Sequence, residues 1–192
     1  PGIYQVRSST PDTMTPLLVD SAANIQAVAS PDRTRIAFSS NRAGSFDLWV
    51  MDADGRNPHR LTTDPGIEGE PAWTPDGTRI IYTTSPKTGL PQLASIRVDG
   101  TDNRALTALP GGNHSADVSP DGASIAFVST RGGHSGIYVM ALDGSVQRRT
   151  TKGSDRESIP RYLSNGDLAY VTERGGGSRV HRIAAGAVQP VT

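Results

Sequence analysis

The chain has no cysteine among its 192 residues. That excludes disulfides, thiolate nucleophiles and thiolate metal sites, and leaves the compartment open. No apolar stretch reaches about 18 residues, so no membrane-spanning helix is expected. Neither sign of charge is in excess: 19 Lys and Arg balance 19 Asp and Glu. Nucleic-acid-binding modules carry a basic surplus, so nucleic acid is not expected as a partner. No window sustains a helical period of apolar residues, which points to an all-β chain. Familiar catalytic equipment is missing too. There is no Gly-x-Ser-x-Gly elbow of a hydrolase. Gly175-Gly176-Gly177 lacks the lysine and the helix of a phosphate loop. His59, His114, His134 and His181 fall in different elements and at no metal-ligand spacing. Neither a catalytic residue, a metal nor a cofactor is therefore expected.

What the chain does have is a repeated phrase. Ser30-Pro31-Asp32-Arg33 returns as Thr74-Pro75-Asp76-Gly77, as Ser119-Pro120-Asp121-Gly122, and in worn form as Leu163-Ser164-Asn165-Gly166. The second positions lie 44, 45 and 44 residues apart. A fixed period of this size marks a repeat architecture. Each unit reads as four short strands joined by turns. In the first, Ile25 to Ala29 precedes the Ser-Pro-Asp turn, where proline pre-sets φ and aspartate bonds its own backbone. Arg35 to Ser39 and Asp47 to Met51 follow, then the turn Asp52 to Gly55 and the strand His59 to Thr62. The fourth strands of later units are expected to end at Leu106-Thr107, Arg149-Thr150 and Val191-Thr192. The strands are nearly continuous in apolar character, as sheets covered on both faces require. Radially stacked propeller blades provide that cover.

These phrases resemble the TolB-like β-propeller repeat family. Ile125 to Arg131 with Ile137-Tyr138-Val139-Met140, and Ile36 to Arg42 with Leu48 to Met51, match its pattern of an apolar strand, a Ser-x-Arg loop and a second apolar strand. The resemblance implies a β-propeller of four-stranded antiparallel blades and a periplasmic or otherwise extracytoplasmic place. Relatives include periplasmic TolB, propeller domains of prolyl oligopeptidases and tricorn-type proteases, and oligogalacturonate lyases. Arg33 departs from the pattern in place of the turn glycine, as does Ala185-Gly186 in place of Asp-Gly.

The phase extends backwards. Leu17 and Leu18 stand 44 residues before Leu61 and Thr62, so Ile3 to Val6 and Pro16 to Val19 read as the last two strands of a blade. The expected organisation is one propeller domain: a half blade over 1–24, then blades over 25–64, 65–109, 110–151 and 152–192. Four repeats and a half do not close a ring. The leading expectation is an incomplete ring belonging to a six-bladed propeller, which would take about 264 residues. An open arc docked on a partner and a closed ring of irregular blades are the alternatives.

Candidate binding residues cluster at one rim, where fourth-to-first and second-to-third strand connections meet. The connections between blades carry Glu68, Glu70, His114, Asp155, Arg156 and Glu157; the loops within blades carry Arg42, Lys87, Arg131 and Arg174. Loops on a rigid scaffold are where binding usually resides. Mutual salt bridging is the plainer reading, and Arg42, Arg131 and Arg174 occupy the family's Ser-x-Arg position. Asp117 and Arg161, at equivalent positions of two first strands, are candidates for a central channel. The sequon Asn113-His114-Ser115 is of a kind that arises often by chance. The expected function is a non-enzymatic scaffold for protein partners, an accessory subunit of a cell-envelope assembly. The alternative is the propeller portion of a larger enzyme, peptidase-like or oligogalacturonate-lyase-like.

Overall fold

A computed structural model of the chain describes residues 2–7, 10–108, 110–153, 155–184 and 187–190. Among these residues there is no helix, and the strands form five antiparallel sheets. A two-stranded sheet, β1 (Gly2–Arg7) and β2 (Thr10–Val19), comes first. Four blades follow, each with its strands in sequence order. They are β3 (Asn24–Ala29), β4 (Arg35–Ser40), β5 (Asp47–Asp52), β6 (His59–Arg60); β7 (Ile67–Trp73), β8 (Arg79–Ser85), β9 (Gln92–Arg97), β10 (Arg104–Ala105); β11 (Asn113–Val118), β12 (Ser124–Ser129), β13 (Gly136–Ala141), β14 (Arg148–Arg149); and β15 (Arg156–Tyr162), β16 (Leu168–Arg174), β17 (Gly177–Ala184), β18 (Ala187–Pro190).

The repeated phrase makes the turn between first and second strands. Ser30 Oγ donates to Asp32 Oδ1 at 2.6 Å and accepts the Arg35 N–H at 3.0 Å. Asp32 in turn accepts the Thr34 N–H at 3.1 Å. The Ser30 hydroxyl and these neighbouring donors hold the Asp32 carboxyl down to about 2. Thr74 with Asp76 and Ser119 with Asp121 repeat the arrangement. Arg33 takes the left-handed φ of 61° that Gly77 (67°) and Gly122 (71°) adopt, so the missing glycine leaves the turn's shape unchanged.

Both faces of the blades are covered. Ile125, Ala126, Phe127 and Val128 of β12 are each at most 1% exposed. Ile125 and Phe127 pack with Ile81 and Leu93 of the preceding blade. Ala126 and Val128 pack with Leu168 and Tyr170 of the following one. Strand alternation is intact but sends an apolar residue to a neighbour on either side, which erases the polar half of the pattern. The β1–β2 pair stacks on the first whole blade through Ile3, Leu17 and Leu18 against Ile36, Phe38 and Met51. Among the described residues no strand of this pair joins the β15–β18 sheet. The architecture is a partial propeller of four blades and a half.

Two expectations need correction. The polar residues Glu68, Glu70, His114, Arg156 and Glu157 belong to the first strands β7, β11 and β15, not to the connections. A strand begins where ladder bonds begin, and the ladders of these innermost strands start at Ile67, Asn113 and Arg156. The third blade's fourth-strand end is Thr150-Thr151, one residue later than Arg149-Thr150. Thr62, Thr107 and Thr151 make the same bond, each hydroxyl accepting a backbone N–H from the third strand: Leu48 at 2.9 Å, Leu93 at 2.9 Å and Ile137 at 3.1 Å. The expected features at Ala185-Gly186 and Val191-Thr192 lie outside the described residues.

Candidate partner-binding surface

Every innermost strand carries a bulge. The register shifts between Ile25 and Val28, Gly69 and Ala72, His114 and Asp117, and Ser158 and Arg161. Within the four bulges Gln26, Glu70, Ser115 and Ile159 have left-handed φ of 56°, 51°, 54° and 53°. A bulge leaves a backbone group without a ladder partner. At Glu70 and Ser115 the preceding blade supplies one. Gln26 Oε1 accepts the Glu70 N–H at 2.8 Å, and Glu70 Oε2 accepts the Ser115 N–H at 2.7 Å. Further along, Asp117 Oδ2 accepts the Tyr162 N–H at 2.6 Å. Burial pushes the Asp117 carboxyl up, while that bond and Arg161 oppose the rise. Asp117 therefore ties two blades together, whereas Arg161 is exposed and bonds the Pro160 carbonyl at 2.8 Å. Gln26, Glu70, Ser115, Ile159 and Arg161 line a cavity of about 360 Å³ in the channel.

At the rim above, the expected binding residues divide into two groups. Arg42 and Arg131 are latches. Arg42 donates to Ser40 Oγ at 3.1 Å and Asn24 Oδ1 at 2.9 Å, with its guanidinium 4.8 Å from the Trp49 ring centre. Arg131 does the same with Ser129 at 2.8 Å, Asn113 at 2.8 Å and Tyr138 at 4.7 Å. Two other blades hold a glutamate where Asn24 and Asn113 stand. Glu68 is 0% exposed and Glu157 1%. Glu68 accepts from Thr84 at 3.3 Å and Thr62 at 3.4 Å. Glu157 accepts from the Thr151 hydroxyl and the Ile137 N–H. The structure thus turns Glu68 and Glu157 inward, because each closes a seam between blades. Asn113 is also fully buried, which removes the sequon from reach of modification.

The remaining candidates stay accessible. Lys87 is exposed, and Arg156 and Arg174 lie 3.9 Å from Glu173 and 3.8 Å from Asp155. Such pairs contribute little. Glu70 and His114 meet near the channel mouth, where both bond Ser115. Beside them is a hollow of about 450 Å³, walled mainly by apolar groups of Ile25, Phe46, Ile67 and Pro91. Ile25 and Ile67 are 42% and 56% exposed. Sequence reasoning missed this feature by assigning Ile25 to an apolar core strand. A signal existed at Ile67, whose counterparts in the other repeats are Ala23, Gly112 and Arg156. One repeat alone places a large apolar side chain there.

A family model described as the TolB beta propeller domain matches residues 19–128. The chain belongs to the TolB β-propeller family. The Tol-Pal system protein TolB of Anaeromyxobacter dehalogenans is 37% identical over 133 residues, which are 67% of this chain and 29% of that protein. The chain thus spans under a third of the length of the curated relatives it matches. The structure of a putative TolB from Agrobacterium tumefaciens superposes with a TM-score of 0.87 at 22% identity, covering 97% of this chain and 72% of that one. A puromycin hydrolase shares the fold with a TM-score of 0.76 at 17% identity, covering 100% of this chain and 35% of that one.

Within this TolB-family arc, Glu68 is the carboxylate with the largest consequence for pH. Burial and the nearby Asp47 raise it from 4.5 to about 7. Asp47 is itself buried and paired with Arg60 at 2.7 Å. The folded state therefore holds the Glu68 proton more tightly than the unfolded chain does. Its contribution to stability is complete below pH 4.5 and is lost as pH rises to about 7. Glu68→Gln removes the charge and keeps one acceptor oxygen, with an amide nitrogen in the place of the other. It should melt a few degrees above the parent at pH 8, about 1–2 kcal/mol after allowance for water screening, and level with it near pH 4.5. Paired thermal melts from pH 4 to 9 check this; parallel curves would contradict it. Among the described residues no group of three or more His, Asp or Glu could hold a metal.

Proposed function

We propose that this chain is a non-enzymatic propeller scaffold that holds a protein partner at its channel mouth, as an accessory part of a cell-envelope assembly outside the cytoplasm. One observation carries the reading: the hollow at the rim, where Ile25 and Ile67 stand exposed beside Phe46 and Pro91. An apolar centre with a polar margin is the anatomy of a protein interface. Glu70, His114 and the exposed Lys87 provide polar and charged groups on the same rim. The name of the A. dehalogenans relative, a Tol-Pal system protein, supports an envelope setting and protein partners.

The test is direct binding of the purified chain to the Tol-Pal proteins of its own organism. Ile67→Asp should weaken the complex tenfold or more, since it buries an unpaired charge. Val146→Asp alters an exposed turn on the opposite rim and should leave binding unchanged. Equal affinity of both variants would remove the hollow from the interface. A second reading, the propeller portion of a larger enzyme, is favoured by the fold shared with puromycin hydrolase. An encoding reading frame that continues into a catalytic domain would establish that reading over the scaffold.

A further inference from the structure

The rim opposite the hollow carries the Asp-Gly turns, and each of three described turns lies on one leucine of the blade before it: Leu17, Leu61 or Leu106. A side chain added at Gly55 would meet the Leu17 carbonyl, at Gly100 the Leu61 side chain, and at Gly144 the Leu106 carbonyl. The third blade departs from this pattern in the residue itself. With Thr151 in the place of Thr62 and Thr107, the leucine position is held by Thr150. The exchange removes apolar volume and adds a hydroxyl. Thr150 Oγ1 is shut off from solvent and has no hydrogen-bond partner. A hydroxyl in that state is costly until something bonds it.

A cleft of about 530 Å³ opens at this seam. The adjoining turn has changed as well. Leu163 stands where Ser30, Thr74 and Ser119 bond their aspartates, and Asn165 donates to Asp167 at 2.9 Å instead. We propose that this cleft binds a neutral saccharide of one or two rings. Asp121 and Asp167 offer acceptors and Arg148 and Tyr162 offer donors, against a wall that includes Thr150 and Ile183.

Other ligand classes fit this lining less well. Two carboxylates oppose a phosphate. The Ser119 hydroxyl and the Ala123 N–H hold the Asp121 carboxyl below its usual range, so it remains an ionised acceptor. An apolar ligand would strip water from the Asp121 and Asp167 carboxylates with nothing to replace it. Among the described residues no three or more His, Asp or Glu side chains are grouped to hold a metal ion. A sugar ring presents alternating hydroxyl donors and acceptors on its edge and C–H groups on its face, which is the pattern of this wall. The volume is ordinary for a small-molecule site.

The experiment is saturation-transfer NMR on the purified chain with two probes, N,N′-diacetylchitobiose and cellobiose, and inorganic phosphate as the negative control in parallel titrations. Saturable binding of at least one disaccharide is expected, weakened tenfold or more in Thr150→Leu and in Arg148→Ala. Thr150→Leu restores the repeat's leucine and should melt at or above the parent temperature. Arg148 is exposed, so its truncation leaves the fold intact and keeps the test open if the leucine variant folds poorly. No transfer from either disaccharide, or transfer indifferent to both substitutions, would overturn the proposal and leave the cleft a packing gap.

Discussion

Gly55→Ala is expected to destabilise the chain by about 3–4 kcal/mol and to loosen the β1–β2 pair from the first whole blade. Two effects add. Gly55 has φ of +88°, where a side chain is strained in any surroundings. Its added Cβ would also come within 2.0 Å of the Leu17 carbonyl oxygen and 2.7 Å of the carbonyl carbon. Both are backbone atoms, so relief requires the turn to move off β2. Gly166→Ala is the matched control. It has φ of +86° but nothing within 4 Å, so it should cost about 1–2 kcal/mol from strain alone. Urea unfolding of both variants separates the contributions. Limited proteolysis between Val19 and Asn24 should accelerate for Gly55→Ala only. Equal costs would mean that the turn's seat on Leu17 does not hold the pair.

Arg131→Ala should cost about 2–3 kcal/mol, against less than about 0.5 kcal/mol for Arg174→Ala. Both arginines sit at the same position of their repeats. Arg131 bonds Ser129 and Asn113 and covers Tyr138 and Phe127. Its removal strands the Asn113 carbonyl, in a residue with no exposed surface. Arg174 is 84% exposed and, among the described residues, pairs with Asp155 at 3.8 Å. Chemical denaturation of the two variants checks the contrast. Comparable losses would show that position in the repeat, not local partners, sets the arginine's role.

The partners of these arginines explain how much of the rim was legible. The Ser-x-Arg phrase marks a latch in blades whose first strand begins with asparagine, as Asn24 and Asn113 do. Blades with Glu68 or Glu157 there satisfy the carboxylate through threonines of the seam instead. The two partners are 18 residues apart in sequence for Arg42 with Asn24, and the seam contacts cross from one repeat to the next. A single repeat cannot reveal which solution its neighbour permits. The rim residues therefore looked alike in sequence and parted in the structure, Glu68 and Glu157 inside, Lys87, Arg156 and Arg174 outside. The left-handed bulges at Gln26, Glu70, Ser115 and Ile159 left no glycine to mark them. At Glu70 and Ser115 the strain is offset by bonds from the preceding blade, which no local propensity encodes.

The sequence by itself determined the blade. Turn chemistry at Ser-Pro-Asp-Gly, apolar strands and a 44–45-residue period are local properties, so they survive reading one unit at a time. They were enough for an all-β propeller, for two strands of a half blade before Asn24, and for its TolB-like character. Only the tertiary structure decided what lies between blades. It buried Glu68 beside Asp47, moved the threonine register to Thr151, opened the seam at Thr150 and left Ile25 and Ile67 exposed beside the channel. Those outcomes depend on which residue of one repeat meets which residue of the next. Stacking sets that pairing through volume and unsatisfied bonds, and neither quantity belongs to any single stretch of chain.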